Sequence, residues 1–245
     1  MTRVVRGFGW TLIVSGAVVL LYVVYLLWFT NFETDRAQSE LADTWALNVP
    51  AQPAPVFDSD GDLVPEEREV EPDDEPVELG EAYAALWFER DGERIINDDI
   101  LYVVSGVDLS LLRSGPGHYP GSDRPGGAGN FAVAGHRTTY GAPFWSVNEL
   151  QDGDTIHVID RQGREWTYAY VEQVVVRPQD VEVIYPDPRG TGAPTITLTT
   201  CHPRGSARER LIAFGELIEE PLESTAGPDP FQASLPGEAG DERWV

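Results

Sequence analysis

Hydrophobic and polar positions change character several times along the chain. From Gly7 to Phe29 no residue is charged and most are apolar (GFGWTLIVSGAVVLLYVVYLLWF). At ~1.5 Å per residue, a helix of this length crosses a hydrocarbon core of roughly 30 Å. Between Asn31 and Ala51 a weaker stripe of Ala37, Leu41, Trp45 and Leu47 predicts a short helix. Residues 52–80 alternate acids with prolines (AQPAPVFDSDGDLVPEEREVEPDDEPVELG, from Ala51) and hold few large apolar residues. Such a stretch cannot offset its ordering entropy by burial, so it is expected to be an extended, self-repelling stalk. From about Ala82 short apolar runs are separated by Gly, Pro and Asp. The runs are Ile100–Val104, Phe131–Ala134, Thr155–Asp160, Trp166–Val176, Ile196–Thr200 and Leu211–Ile218, with a helical turn expected at Val107–Leu112. Many short β-rich runs joined by turn residues predict an all-β barrel or sandwich. After Pro221 the tail is polar and rich in Pro and Gly, and is expected to be disordered.

These elements divide the chain into residues 1–30, a cytoplasmic N-terminus and transmembrane anchor; 31–81, the acidic stalk; 82–220, a catalytic domain; and 221–245, a tail. Arg3 and Arg6 precede the apolar run, and Glu33 and Asp35 follow it. Positive charge on that side favours a cytoplasmic N-terminus, a single pass through the cell membrane and an extracellular folded domain. Trp10, Tyr22, Tyr25 and Trp28 suit interfacial positions. The run exceeds a signal-peptide core and no small-x-small site follows, so a retained anchor in contact with membrane lipid is expected.

Net charge sharpens this picture. The 245-residue chain carries −24, and all its basic residues are arginine. So acidic a surface repels phosphate backbones, which argues against nucleic-acid partners. Asp58, Asp60 and Asp62 resemble the start of a calcium loop, but Leu63 stands where glycine is needed, so a solvated acidic run is the better reading. No metal or other cofactor is expected.

The chain has one cysteine, Cys201, at the end of the run Ile196–Thr200. A lone cysteine forms no internal disulfide and is unusual in an oxidising compartment. Local sequence leaves two readings, a small buried hydrophobe or a nucleophile. Arg210 opens the next apolar run, with Arg204 and Arg208 as competing cations. Of the four histidines, His157 lies within a strand-like run and His118 within a turn. His202 adjoins Cys201 and points to the opposite side of an extended chain. His136, like Cys201, ends a strand-like run, so the two can be presented together by a rigid sheet.

The blocks GPGHYPGSDRPGGAGNFAVAGHRTTYGAPF, QDGDTIHV, ITLTTCHP and RERLIAFGEL resemble those of sortase transpeptidases, most closely the class E housekeeping enzymes of Gram-positive actinobacteria. The resemblance covers about residues 98–219. It implies an eight-stranded β-barrel, an N-terminal membrane anchor and a catalytic set in which His136 is the acid/base, Cys201 the nucleophile and Arg210 the oxyanion-stabilising residue. It further implies cleavage of a Leu-Ala-x-Thr-Gly or Leu-Pro-x-Thr-Gly sorting motif between Thr and Gly. The partners would be surface proteins bearing that motif and a lipid-linked peptidoglycan precursor supplying the amine. Tyr140 and Thr200 are candidate substrate-binding residues, each with packing as the competing role. A pilin-polymerising or class D type sortase, a hydrolytic cysteine protease and a catalytically silent surface scaffold on the same barrel remain as alternatives.

Overall fold

The computed structural model describes residues 2–49 and 77–218. The chain divides into one unit of residues 1–51 and 73–218 and a second of residues 52–72 and 219–245. The second unit, with the acidic run at Asp58–Asp62, lies outside the described residues, as do residues 50–76 of the expected stalk and the whole of the expected tail; residues 31–48 of that stalk are helical instead.

The barrel is built from β1 (Ala82–Arg90), β2 (Glu93–Ile95), β3 (Leu101–Ser105), β4 (Gly117–His118), β5 (Asn130–Ala134), β6 (Thr155–Ile159), β7 (Glu165–Val176), β8 (Thr195–His202) and β9 (Glu209–Leu217). Pairing runs β2-β1-β3-β4-β5-β8-β9-β7-β6, and a further β1–β6 pairing closes the sheet. Because β2 pairs only with the end of β1, the closed ring has eight strands. This is the eight-stranded barrel that the resemblance implies, rather than the sandwich that the apolar runs also allow, and closure removes the exposed edges of an open sheet. Leu86, Phe88, Val103, Phe131, Ile196 and Leu198 fill its interior. Each large apolar side chain buried this way contributes about 1.5–3 kcal/mol. The expected helical turn is present, with Leu112 N donating to Asp108 O at 3.0 Å.

β1, β2 and β4 have no counterpart among the predicted runs. β1 (AYAALWFER) is buried on both faces at its centre, with Leu86 and Phe88 inside and Trp87 stacked on His157 outside. A strand covered on both sides shows no polar alternation. β2 and β4 span three and two residues, too few for a periodicity.

The apolar N-terminal run is helical, as its length requires, and a window at Arg6–Val23 is apolar enough to cross a membrane. Its large side chains, among them Phe8, Ile13 and Leu20, are exposed and meet no protein surface. The helix α1 (Thr2–Asn48) continues without a break, so the short helix expected after Asn31 is the second half of a longer one. Thr34 and Trp45 are buried against the barrel, whereas Leu47 lies off this stripe and is exposed. Gln38 Nε2 donates to Tyr102 O at 3.0 Å and Ser114 O at 2.7 Å, and Tyr102 N donates to Gln38 Oε1 at 2.8 Å. β4 pairs with β3 only from Val104 onward. The Gln38 amide therefore takes the place of a neighbouring strand for Tyr102. Replacing Gln38 by leucine leaves these main-chain groups unpaired, which costs roughly 1–3 kcal/mol. The urea midpoint should fall and the Tyr102 amide should exchange faster; unchanged values for both would refute this role for Gln38.

Candidate active site

Three strands converge on Cys201. β5 and β8 run parallel, in register from Asn130↔Thr195 to Ala134↔Thr199. The pairing continues past β5: Gly135 N donates to Thr199 O at 3.0 Å, and Thr200 Oγ1 donates to Gly135 O at 2.7 Å. His136 and Cys201 are the next residues on the two chains, so the sheet brings these positions together. Thr200, buried, ties the two strands to each other. Gly135 is required by close packing, because a β-carbon there would lie 2.5 Å from Phe144 Cδ2.

β8 and β9 run antiparallel, with Cys201 directly opposite Arg210. Directly opposed residues of an antiparallel pair share a face, their Cβ atoms about 4.5–5.5 Å apart. Arg210 is half-buried, and its Nη1 donates to Ala207 O and Glu209 O, both at 3.0 Å. The competing arginines are placed differently. Arg208 precedes β9 in the exposed loop. Arg204 stacks on Trp145 at 4.4 Å and donates to Trp145 O, Asn148 Oδ1 and Glu149 Oε1.

His136 Nε2 is buried without a hydrogen-bond partner among the described residues. Burial, reinforced by the charge of Arg113, holds its pKa below the ordinary imidazole value. A neutral ring with an open nitrogen can accept a proton. Tyr140 lies against it, with ring centroids 5.0 Å apart. Its φ of 53° is unusual for a residue with a side chain. Asn31 Oδ1 of α1 accepts from Gly141 N at 3.1 Å, and the Arg113 guanidinium covers the Tyr140 ring at 5.4 Å. The docked half of α1 thus supports the loop that packs on His136.

The other histidines sit elsewhere. His118 is buried in β4, stacked on Tyr83 at 4.0 Å, with Nε2 bonded to Ser122 Oγ at 3.0 Å. Burial lowers its pKa, and it holds the turn after β4. His157 pairs with Glu165 at 2.9 Å on the outside of the barrel. His202 stands opposite Glu209, one position beyond Cys201. Among the described residues no cluster of His, Cys, Asp and Glu suits a metal ion.

Three residues at the site were not picked out from the sequence: Arg137, Trp145 and Asn148. Arg137 is buried, 3% exposed, and donates to Cys201 O at 3.2 Å, Trp145 O at 3.3 Å and Asn148 Oδ1 at 2.8 Å. Its adjacency to His136 was the only sequence signal. Trp145 and Asn148 lie in a turn-rich stretch with no periodicity.

A closed eight-stranded barrel carrying His, Cys and Arg at the ends of neighbouring strands defines the sortase type of barrel. A sortase domain model matches residues 96–218, and the chain belongs to the sortase family. It is 31% identical to sortase SrtE1 of Streptomyces coelicolor over 91% of its length, and 30% identical to sortase SrtE2 of the same organism over 88%. The chain spans 60% of the first relative and 83% of the second. The structure of sortase E from Streptomyces avermitilis superposes with a TM-score of 0.51 at 35% identity, covering 63% of this chain and 99% of that one.

Proposed function

We propose that the chain is a membrane-anchored cysteine transpeptidase. It cleaves a Leu-Ala-x-Thr-Gly or Leu-Pro-x-Thr-Gly motif between Thr and Gly and joins the Thr carbonyl to a peptidoglycan amine. The observation that carries this reading is the strand register that sets Cys201 against Arg210, with His136 at the next position of the parallel neighbour.

The proton on Cys201 passes to neutral His136 as sulfur attacks the Thr carbonyl carbon. Arg210 stabilises the oxyanion, for which a permanently charged guanidinium fork is suited. Collapse breaks the Thr–Gly bond, and the His136 imidazolium protonates the departing amine. An incoming amine then attacks the thioester and gives its proton to His136. The C–S bond breaks, and the sulfur regains its proton. Tyr140 borders the motif beside His136. Thr200 acts through strand positioning, since its hydroxyl is bonded to Gly135 O.

The membrane supplies the context. The apolar half of α1 spans the bilayer with a cytoplasmic N-terminus, and the barrel works on the outer side. There it meets surface proteins carrying the motif and a lipid-linked acceptor. Confinement to one surface raises the effective concentration of all three.

The 245-residue chain in detergent micelles tests this reading with fluorogenic peptides of both motifs, with and without an amine acceptor. Cleavage after Thr and an amide product that appears only with the amine are expected. Failure to cleave either peptide refutes the proposal. A hydrolysis product that is insensitive to the amine replaces it with a cysteine protease.

A further inference from the structure

Arg137 presents an electrostatic imbalance that the three assigned residues do not explain. Arg137 is 3% exposed, yet every acceptor its guanidinium meets is neutral: the carbonyls of Trp145 and Cys201 and the amide oxygen of Asn148. Among the described residues no carboxylate pairs with it. Buried charges are ordinarily paired, because an unpaired one keeps most of its desolvation penalty. Arg204, a second cation, donates to the same Asn148 Oδ1 at 2.8 Å and takes the nearby carboxylate, Glu149, at 3.2 Å. Two guanidinium groups therefore converge on one uncharged oxygen.

We propose that Arg137 is a positioning residue for the nucleophile: it fixes the Cys201 carbonyl at the strand end and supplies a buried positive charge that the Cys201 sulfur answers as it gives up its proton. This deepens the reading of Cys201 as nucleophile and rests on it. Hydrogen bonding at the carbonyl holds the nucleophile's own backbone, so the cation cannot drift from the sulfur. Burial shields the charge from water and salt, whereas Arg210 is half-exposed and its Nη1 is engaged by two main-chain carbonyls. Burial and Arg204 both lower the pKa of Arg137, while Cys201 is the nearby group that raises it. The other charged or titratable groups around Cys201 are His136 at the end of β5, Arg210 and Glu209 on β9, His202 beside it, and Arg204 and Glu149 around Trp145. An aspartate at position 148 would neutralise the guanidinium pair; asparagine there leaves the charge available.

The test is the pH dependence of iodoacetamide alkylation of the full chain in detergent micelles. The chain has one cysteine, so the signal belongs to Cys201 alone. Asn148→Asp keeps the oxygen that both arginines use and pairs their charge. It should move the alkylation midpoint up by about one pH unit or more and slow the reaction several-fold at neutral pH. Ser146→Asp adds the same charge on the same turn without bonding Arg137, and should keep the parent midpoint. Arg137→Gln, where circular dichroism shows it folded, should shift the midpoint as Asn148→Asp does. The proposal is overturned if Asn148→Asp keeps the parent midpoint, if Ser146→Asp matches its shift, or if folded Arg137→Gln shows none. Because alkylation needs no peptide substrate, failure of peptide transfer would sink the proposed function without touching this measurement.

Discussion

The Cys201→Ser variant should fold as the parent does and transfer essentially no peptide. Serine places oxygen where sulfur was, so the strand pairing of Cys201 with Arg210 and the carbonyl bond from Arg137 are retained. The chemistry is not. A thiol ionises near neutral pH, whereas a hydroxyl needs a strongly activated base to lose its proton. In serine enzymes a carboxylate orients the histidine, and here no carboxylate pairs with His136 among the described residues. Turnover of the preferred peptide should fall roughly 10,000-fold or more, the scale seen when a nucleophile is removed. Mass spectrometry gives an independent readout: the parent incubated with peptide and no amine should carry an acyl adduct, and Cys201→Ser none. A serine variant within tenfold of the parent rate would place the nucleophile elsewhere.

The strands around Cys201 were legible because their side chains alternate in meaning. In Thr195–His202, Ile196 and Leu198 enter the core while Thr197 bonds Asn130 at 2.8 Å on the other face. β1 was not legible, because Leu86 and Trp87 are both buried, on opposite faces, and charged residues enter only at its end, with Glu89 and Arg90. The docked half of α1 hid for another reason. Its binding face is largely polar, with Asn31, Thr34 and Gln38 all bonded to the barrel's main chain. A search for apolar periodicity therefore found Leu47, which is exposed, and passed over Gln38. The candidate site divides in the same way. His136, Cys201 and Arg210 stand at the ends of strand-like runs, but it is the resemblance to sortases that singles them out as a set. The role of Arg137 depends on a carbonyl more than sixty residues away in sequence and on an uncharged Asn148, which nothing local reveals.

The helix also changes what the acidic segment can do. The barrel is fastened to α1 at Asn31, Thr34 and Gln38, just beyond the apolar run. The segment from residue 50 to 76 joins the end of that helix to the start of the barrel, and both attach to the same unit. Under the proposed membrane anchoring, its length therefore does not set the height of the site above the bilayer; the rise of α1 does. In the proposed function this keeps the site close to the bilayer surface, within reach of the membrane-bound substrate and lipid-linked acceptor proposed for it.

Arg210→Ala should lower kcat about 100- to 1,000-fold with KM changed only a few-fold, the pattern expected when a group acts on the transition state rather than on the bound substrate. Three arginines occupy the segment after Cys201, and geometry rather than proximity in sequence separates them. Arg204 is held by Trp145, Asn148 and Glu149, and Arg208 lies in the exposed loop. Arg210 alone of the three has a β9 register position opposite the nucleophile. The Ala207 and Glu209 carbonyls hold its Nη1, so the fork is oriented before substrate arrives. Arg208→Ala should stay within about twofold of the parent, because the loss of an exposed side chain away from these features is usually small. Arg210→Lys should fall between, since an ammonium keeps the charge but not the planar pair of donors. Steady-state kinetics on the three variants decide the matter. If Arg208→Ala carried the large loss in kcat and Arg210→Ala did not, the oxyanion would be stabilised from the loop, and the strand register would not be what builds this site.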